Sequence, residues 1–249
     1  MKTEKEPERV DSKLTNASSK IAVDKAVALA AHQLKTPLAA IKGAIDLLVS
    51  DILEFSADHA DLIKLICRNT DRSIRLVENL LLLSRAEKRE LELRISEFTP
   101  AELLREVVFN RGNASLARGV DFEVVAGAAN CEFRGDRELT LRLLGYLVEN
   151  AAQFATPGTV TTLSWQSQAM AICFSVSDQG PGIPADAAKQ IFEPFYRKVH
   201  HGDLTVVGDG LGLAVAKALA QLLGGELSRV DNDSGGSTFR VDLPVLSVT

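Results

Sequence analysis

Two stretches of the chain carry apolar residues at the three- and four-residue spacing of amphipathic helices. In the first stretch the spacing is a heptad pattern, which is typical of helices that pack side by side. Its positions are Val27, Ala31, Leu34, Leu38, Ile41, Ile45, Leu48 and Ile52. The second stretch carries two neighbouring rows, Leu62, Ile66, Asn69, Ser73, Leu76, Leu80 and Leu83, and beside it Ile63, Cys67, Ile74, Val77 and Leu81. A break at residues 56–58 separates the two stretches, so the pattern predicts an antiparallel helical hairpin.

The apolar face of the second helix is wider than the seam of a two-stranded coiled coil requires. One partner helix in the same chain would therefore leave part of it exposed to water. A four-helix bundle made from two chains buries both rows. The pattern accordingly predicts a homodimer.

Beyond residue 88 the pattern changes to short, mixed elements. A charged segment leads to Phe98-Thr99-Pro100, which predicts a helix with proline at its first position. The predicted helices are 101–111, 136–153, 185–192 and 211–223. The predicted strands are 121–125, 131–134, 160–166, 170–177, 226–231 and 237–243. This mixture favours an α/β sandwich with helices on one face of a mostly antiparallel sheet. We therefore divide the chain into a flexible segment (1–20), the hairpin (21–92) and the α/β domain (96–246).

Composition and charge exclude several classes of protein. The net charge of −5 and the absence of a basic stripe argue against a nucleic-acid partner. Cys67, Cys131 and Cys173 are an odd number without a CxxC pair, which argues against a disulfide framework or a zinc site. No apolar run approaches the roughly 20 residues that span a bilayer. We therefore expect a soluble, cytoplasmic chain without membrane contact, either by itself or as the cytoplasmic part of a longer receptor.

His32 is the first candidate for chemistry. It follows the seam position Ala31, so we expect its ring at the flank of the apolar face, partly exposed. Pro37 removes a backbone donor and should loosen the helix nearby. A neutral imidazole is a competent nucleophile near pH 7. Taken alone, however, this pair is also typical of a surface histidine near an incidental kink.

Asp178 is the second candidate. It continues the alternation of the apolar strand 172–176, which places its carboxylate on the core side. A buried carboxylate is costly unless it is paired. Gly180 and Gly182 follow and would let a flat ligand approach the backbone. The segment predicts a small-ligand pocket, or else an Asx turn that closes on the glycines.

Two further features lie near helix ends. Gly208, Gly210 and Gly212 open the helix 211–223, where free N–H groups favour phosphate. The motif is weak alone, and it is neither a P-loop nor a dinucleotide fingerprint. Asn150 comes near the end of the helix 136–153 and offers a neutral oxygen ligand for Mg²⁺. The alternative is an ordinary asparagine at a helix C-terminus.

Together these segments resemble the catalytic core of the sensor histidine kinases of two-component systems. Residues 31–38, AHQLKTPL, resemble the phosphoacceptor motif of that family. Four further segments resemble the N, G1, F and G2 boxes of the Bergerat ATP-binding fold, in order and at family spacing. They are Asn150, Asp178-x-Gly180-x-Gly182, Phe192-Glu193-Pro194-Phe195 and Gly208-x-Gly210-Leu211-Gly212-Leu213. The resemblance covers roughly residues 22–243.

The resemblance implies that His32 accepts the γ-phosphate of ATP and passes it to an aspartate of a response-regulator receiver domain. Thr36 would orient water for a phosphatase reaction, or simply bond back to a helix carbonyl. Asn150 would hold Mg²⁺. The implied ATP-binding set is Asn150, Phe154, Asp178, Gly180, Gly182, Ile183, Phe195, Gly208, Gly210, Leu211, Gly212, Leu213 and Thr238. Gln33 and Gln153 replace an acidic residue and a lysine of the family pattern.

Three other functions share parts of this pattern. Gln33 and Gln153 are compatible with a kinase-like scaffold that docks a regulator without turnover. An ATPase of the gyrase or chaperone type would need a glutamate four residues before Asn150, where this chain has Tyr146. A serine-kinase anti-sigma factor would lack the histidine hairpin.

Overall fold

The computed structural model describes residues 33–48, 57–111, 119–125, 132–168, 170–197, 208–232 and 235–245. The chain divides into two compact units, Met1–Glu78 and Asn79–Thr249. The predicted domain limits at residues 21, 92, 96 and 246 stay predictions. No helix in these described ranges has the length and apolar character needed to cross a membrane.

Two helices form the hairpin. The described part of α1 covers residues 33–48, and α2 covers Ala57–Glu87. Pro37 is buried and the helical hydrogen bonding continues past it. On α2 the two predicted rows differ in exposure. Leu76 and Leu83 of the first row are buried, whereas the second row, Ile63, Cys67, Ile74, Val77 and Leu81, is exposed in the single chain.

The second unit contains the remaining helices and all of the described strands. The helices are α3 (Pro100–Arg111), α4 (Arg137–Phe154) and α5 (Gly212–Leu222), with a 3₁₀ turn at Gln190–Phe192. The strands are β1 (Ile95–Phe98), β2 (Asp121–Val124), β3 (Phe133–Asp136), β4 (Val160–Gln168), β5 (Ala171–Ser177), β6 (Glu226–Asp231) and β7 (Ser237–Pro244).

The main sheet has the strand order β2-β4-β5-β7-β6. Its pairs are antiparallel except for β2 and β4, which are parallel. β1 and β3 form a separate antiparallel pair. α4 packs between α3 and α5 and contacts β5, whose Phe174 is fully buried; Phe239 of β7 is fully buried as well. A helical hairpin followed by an α/β layer confirms the predicted fold class.

Three element predictions were wrong in detail. β1 was not predicted; its four residues pair with a strand far along the chain. The predicted helix at 185–192 is a series of turns in which the N–H groups of Ala187, Ala188 and Gln190 bond three residues back. The strand predicted at 131–134 lies at Phe133–Asp136 instead. It ends at Asp136 because the side chain of that residue caps α4 by accepting the N–H of Leu139 at 2.9 Å.

Candidate functional site

Asp178 lies directly after β5 and is 4% exposed, as its strand phase predicted. Its Oδ1 accepts the N–H of Gly180 at 2.8 Å and the N–H of Ser237 at 3.3 Å. Burial raises the pKa of this carboxyl, and the backbone donors oppose the shift in part. The bond from Gly180 is an Asx turn, so the carboxylate closes the turn and is buried at the same time. In the described part of the chain both of these bonds fall on Oδ1, so Oδ2 could accept a hydrogen bond from a ligand.

A side-chain network fixes the backbone at Asp178. Asn232 Nδ2 donates to the carbonyl oxygen of Asp178 at 3.0 Å and to Ser177 Oγ at 3.1 Å. Thr238 Oγ1 donates to Asn232 Oδ1 and also lies 2.9 Å from Ser177 Oγ. Thr238 was predicted at the site. Asn232 was not, because no local pattern marks a residue that bonds 54 positions away.

Two glycines around Asp178 are required by contacts within the protein. A methyl group on Gly180 would lie 2.5 Å from the carbonyl oxygen of Phe154, at the end of α4. Gly236 has a φ of +88°, and a methyl group there would overlap the carbonyl oxygen of Asp178. The G1 segment is therefore pressed between the end of α4 and the start of β7.

The glycine segment before α5 packs against the F box. Gly210 has a φ of +73°, and its carbonyl oxygen accepts the N–H of Phe195 at 2.9 Å. A methyl group on Gly210 would lie 2.9 Å from the carbonyl carbon of Phe195. Gly208 lies against the side-chain amide of Gln153 on α4. α5 has no acidic residue in its first turn, which suits an anion at its N-terminus.

Asn150 and Phe154 lie on the last turn and a half of α4. Asn150 is half-buried, and the ring of Phe154 is 41% exposed. One turn before Asn150, Tyr146 Oη donates to Asn79 Oδ1 at 2.6 Å. Asn79 Nδ2 in turn donates to Asp209 Oδ2 at 3.1 Å. Asn79 lies on α2, and no local pattern in the sequence marked it as part of the site.

The remaining predicted residues vary in exposure. Leu211 is fully buried, and Ile183, Gly212 and Leu213 are half-buried. On α1, Gln33 is half-buried and Thr36 is exposed. His32 lies outside the described residues. Within the second unit, Gly180 and Gly208 thus both lie against the end of α4 that carries Asn150, and Gly210 lies against Phe195 of the F box.

The polar groups of this site can be compared with the groups that ATP and Mg²⁺ require. Asp178 offers a buried acceptor for an amino group, and the glycine segment offers backbone N–H groups for phosphate. Among the described residues there is no group of three or more His, Cys, Asp or Glu side chains that could hold a metal ion. A divalent ion would therefore rely on the Asn150 amide together with the phosphates of a nucleotide, which is a usual arrangement for Mg²⁺.

Two family models match the chain. The His Kinase A (phospho-acceptor) domain matches residues 22–89. The histidine kinase-, DNA gyrase B- and HSP90-like ATPase domain matches residues 135–247. The chain belongs to the sensor histidine kinases. The predicted family, with its hairpin followed by an ATP-binding domain, is confirmed.

Individual relatives agree with this assignment. The sensor protein KdpD of Mycobacterium tuberculosis is 31% identical over 216 residues, which are 85% of this chain and 25% of KdpD. The structure of the histidine kinase AdeS of Acinetobacter baumannii superposes with a TM-score of 0.71 at 22% identity, covering 87% of this chain and 98% of AdeS. The histidine kinase ThkA, solved in complex with the response regulator protein TrrA, gives a TM-score of 0.70 at 20% identity, covering 98% of this chain and 68% of ThkA. The two structures share the fold, and this histidine kinase spans about a quarter of the length of KdpD.

Proposed function

We propose that this histidine kinase transfers the γ-phosphate of ATP to His32 and then to an aspartate of a response-regulator receiver domain. The observation that carries the proposal is the buried Asp178 carboxylate, held through Oδ1 and with Oδ2 left for a ligand. A donor-bearing heterocycle such as adenine matches that acceptor. The two matched domains supply the phosphoacceptor segment and the nucleotide domain.

Each part of ATP has a matching group in the second unit. Asp178 Oδ2 accepts the amino group of adenine, and the exposed ring of Phe154 lies near the base. The backbone N–H groups of the glycine segment other than that of Leu211, which donates to Asp209, would contact the phosphates. Asn150 would hold Mg²⁺, which would neutralise charge on the transferring phosphoryl group. Positioning and charge neutralisation then supply most of the catalytic effect.

His32 acts as the nucleophile through a neutral imidazole nitrogen. Gln33 can orient the ring but cannot accept its proton at neutral pH, so the proton leaves to water. Thr36, which is exposed on α1, would orient a water molecule for dephosphorylation of the regulator. We therefore propose phosphatase activity as a second reaction of the same hairpin.

A homodimer follows from the exposed apolar row on α2. Ile63, Ile74, Val77 and Leu81 are each at least 40% exposed in the single chain. They lie on one face of the helix, beside the buried row. A second copy of the hairpin would bury this face in a four-helix bundle.

The partner of the kinase is a receiver domain. The histidine kinase ThkA, which shares this fold, has been solved with the response regulator TrrA. We propose that the hairpin of this kinase docks a receiver domain, and that it does so in the cytoplasm. We propose no nucleic-acid partner for this kinase.

Incubation with γ-labelled ATP and Mg²⁺ tests the proposal. We expect protein-bound phosphate that is acid-labile and base-stable, as a phosphoramidate is. The label should be lost in His32→Ala and in Asn150→Ala, and retained in the control Asn69→Ala, whose side chain bonds only within α2 in the described structure. Transfer of the label to a receiver domain tests the second step.

Two other outcomes would refute the proposal. Steady release of free phosphate without labelled protein would identify an ATPase. Tyr146 argues against that outcome, because its hydroxyl donates to Asn79 and offers no carboxylate base. ATP binding without any label would identify a regulator-docking scaffold, the function that Gln33 and Gln153 would favour.

A further inference from the structure

Asp209 places a negative charge inside the segment proposed to bind the phosphates. It lies between Gly208 and Gly210, three residues before α5 begins at Gly212. A carboxylate so close to a triphosphate would repel it, and the repulsion is strong where water is partly excluded. The kinase therefore needs a way to hold this carboxylate away from the nucleotide.

Both oxygens of Asp209 are engaged by donors. Oδ1 accepts the N–H of Leu211 at 2.9 Å, at the start of α5. Oδ2 accepts Asn79 Nδ2 at 3.1 Å. Donors on both oxygens fix the direction of the carboxylate and offset part of its charge. The Leu211 bond is local, so Asn79 supplies the long-range part of this restraint.

Tyr146 fixes the orientation of the Asn79 amide. Its hydroxyl donates to Asn79 Oδ1 at 2.6 Å, so the Nδ2 group must face Asp209. The three side chains form a chain of donors and acceptors from α4 through α2 to the glycine segment. All three belong to the second unit.

We propose that Asn79 is a positioning residue for ATP: it holds the Asp209 carboxylate on its bonds to Asn79 and Leu211, so that the charge is not free to turn toward the phosphates, and it is itself oriented by Tyr146. The inference rests on the proposed function of the ATP site. It assigns to α2 a part in nucleotide affinity. The effect acts through charge, so it depends on the number of phosphates in the ligand.

Titration of the purified chain with adenosine, ADP and ATP, by displacement of a fluorescent nucleotide, tests this inference. In Asn79→Ala we expect ATP binding to weaken about tenfold, the effect of losing a bond to a charged group. ADP should lose less, and adenosine should bind as before. Tyr146→Phe should weaken the binding of the three ligands in the same order, but by less. This variant lets the Asn79 amide rotate without removing it. Asn69→Ala is the control on the same helix.

A rescue experiment separates charge from structure. Asp209→Asn in the Asn79→Ala background should restore most of the ATP affinity, because the repelling charge is gone. The single variant Asp209→Asn should bind ATP at least as tightly as the parent. An equal loss for adenosine and ATP, or no rescue, would show that Asn79 has only a structural role. Unchanged ATP affinity in Asn79→Ala would also overturn the inference. If the parent chain itself does not bind ATP, the proposed function fails instead.

Discussion

Replacing Asp178 with asparagine should separate the stability of the second unit from its affinity for nucleotide. The folded structure raises the pKa of Asp178 because the carboxyl is buried. Between the ordinary pKa and the raised one, the folded state binds a proton that the unfolded state does not. Wild-type stability therefore falls as pH rises through that window. The side chain of Asp178→Asn would carry no charge, and its amide oxygen could keep the N–H donors of Gly180 and Ser237.

The variant should consequently be at least as stable as the wild type at neutral pH. The difference in stability should shrink as the pH falls through the raised pKa, where the wild-type carboxyl becomes neutral. Binding should change in the opposite direction. The asparagine would present an N–H₂ donor where adenine also presents a donor.

Two penalties add in the nucleotide complex of this variant. A hydrogen bond to a charged acceptor contributes about 1.5–3 kcal/mol, and an unsatisfied buried donor costs about 1–3 kcal/mol. Their sum is at least about 2.5 kcal/mol, which corresponds to a loss of ATP affinity of roughly sixtyfold or more. The loss should be the same for adenosine, because the contact is with the base.

Thermal unfolding between about pH 5 and 8, together with nucleotide titration, measures both effects. Asp121→Asn is a suitable control, since Asp121 is an exposed aspartate at the start of β2. A variant that binds ATP normally would refute the role of Oδ2. If the variant is less stable than the wild type at neutral pH, burial of the charged Asp178 carboxylate does not lower the stability of the folded state.

Three further changes test other parts of the structure. Gly180→Ala should destabilise the second unit by about 1–3 kcal/mol, because the new methyl group overlaps the carbonyl oxygen of Phe154. Gly43→Ala is the control: it lies in open space on α1 and should stabilise that helix by up to about 1 kcal/mol. Urea unfolding measures both free energies, and equal effects would contradict the contact between Gly180 and Phe154. Ile74→Asp should convert the dimer into a monomer by light scattering, and an unchanged mass would place the interface elsewhere. Gln153→Lys should tighten ATP binding several-fold at low salt and less at high salt, and an unchanged affinity would place residue 153 away from the phosphates.

Elements with local chemical signals could be predicted from the sequence. The helix α3 begins at Pro100, as proline at a first position predicts. The burial of Asp178 followed from strand alternation, and the exposed second row on α2 followed from helical spacing. In each case the signal and the structure lie within a few residues of each other. The family motifs added the order of the four ATP boxes.

Features that depend on distant residues could not be predicted. β1 exists because Ile95–Phe98 pairs with Phe133–Asp136, and four residues carry too little pattern alone. Asn79 bonds a carboxylate 130 positions away, which no window of sequence contains. The same holds for Asn232. The segment after Pro184 was predicted as a helix because its residues favour helices. It forms turns instead, because the segment between Pro184 and Pro194 is too short for a helix.

The order of strands in the main sheet has a consequence for the synthesis of this protein. β7 is the last described strand along the chain, yet it lies between β5 and β6 and bonds to both. It also brings Ser237, whose backbone N–H donates to Asp178 Oδ1. The proposed adenine pocket is therefore complete only after residues 237–244 have emerged from the ribosome, so a product terminated before them should not bind nucleotide.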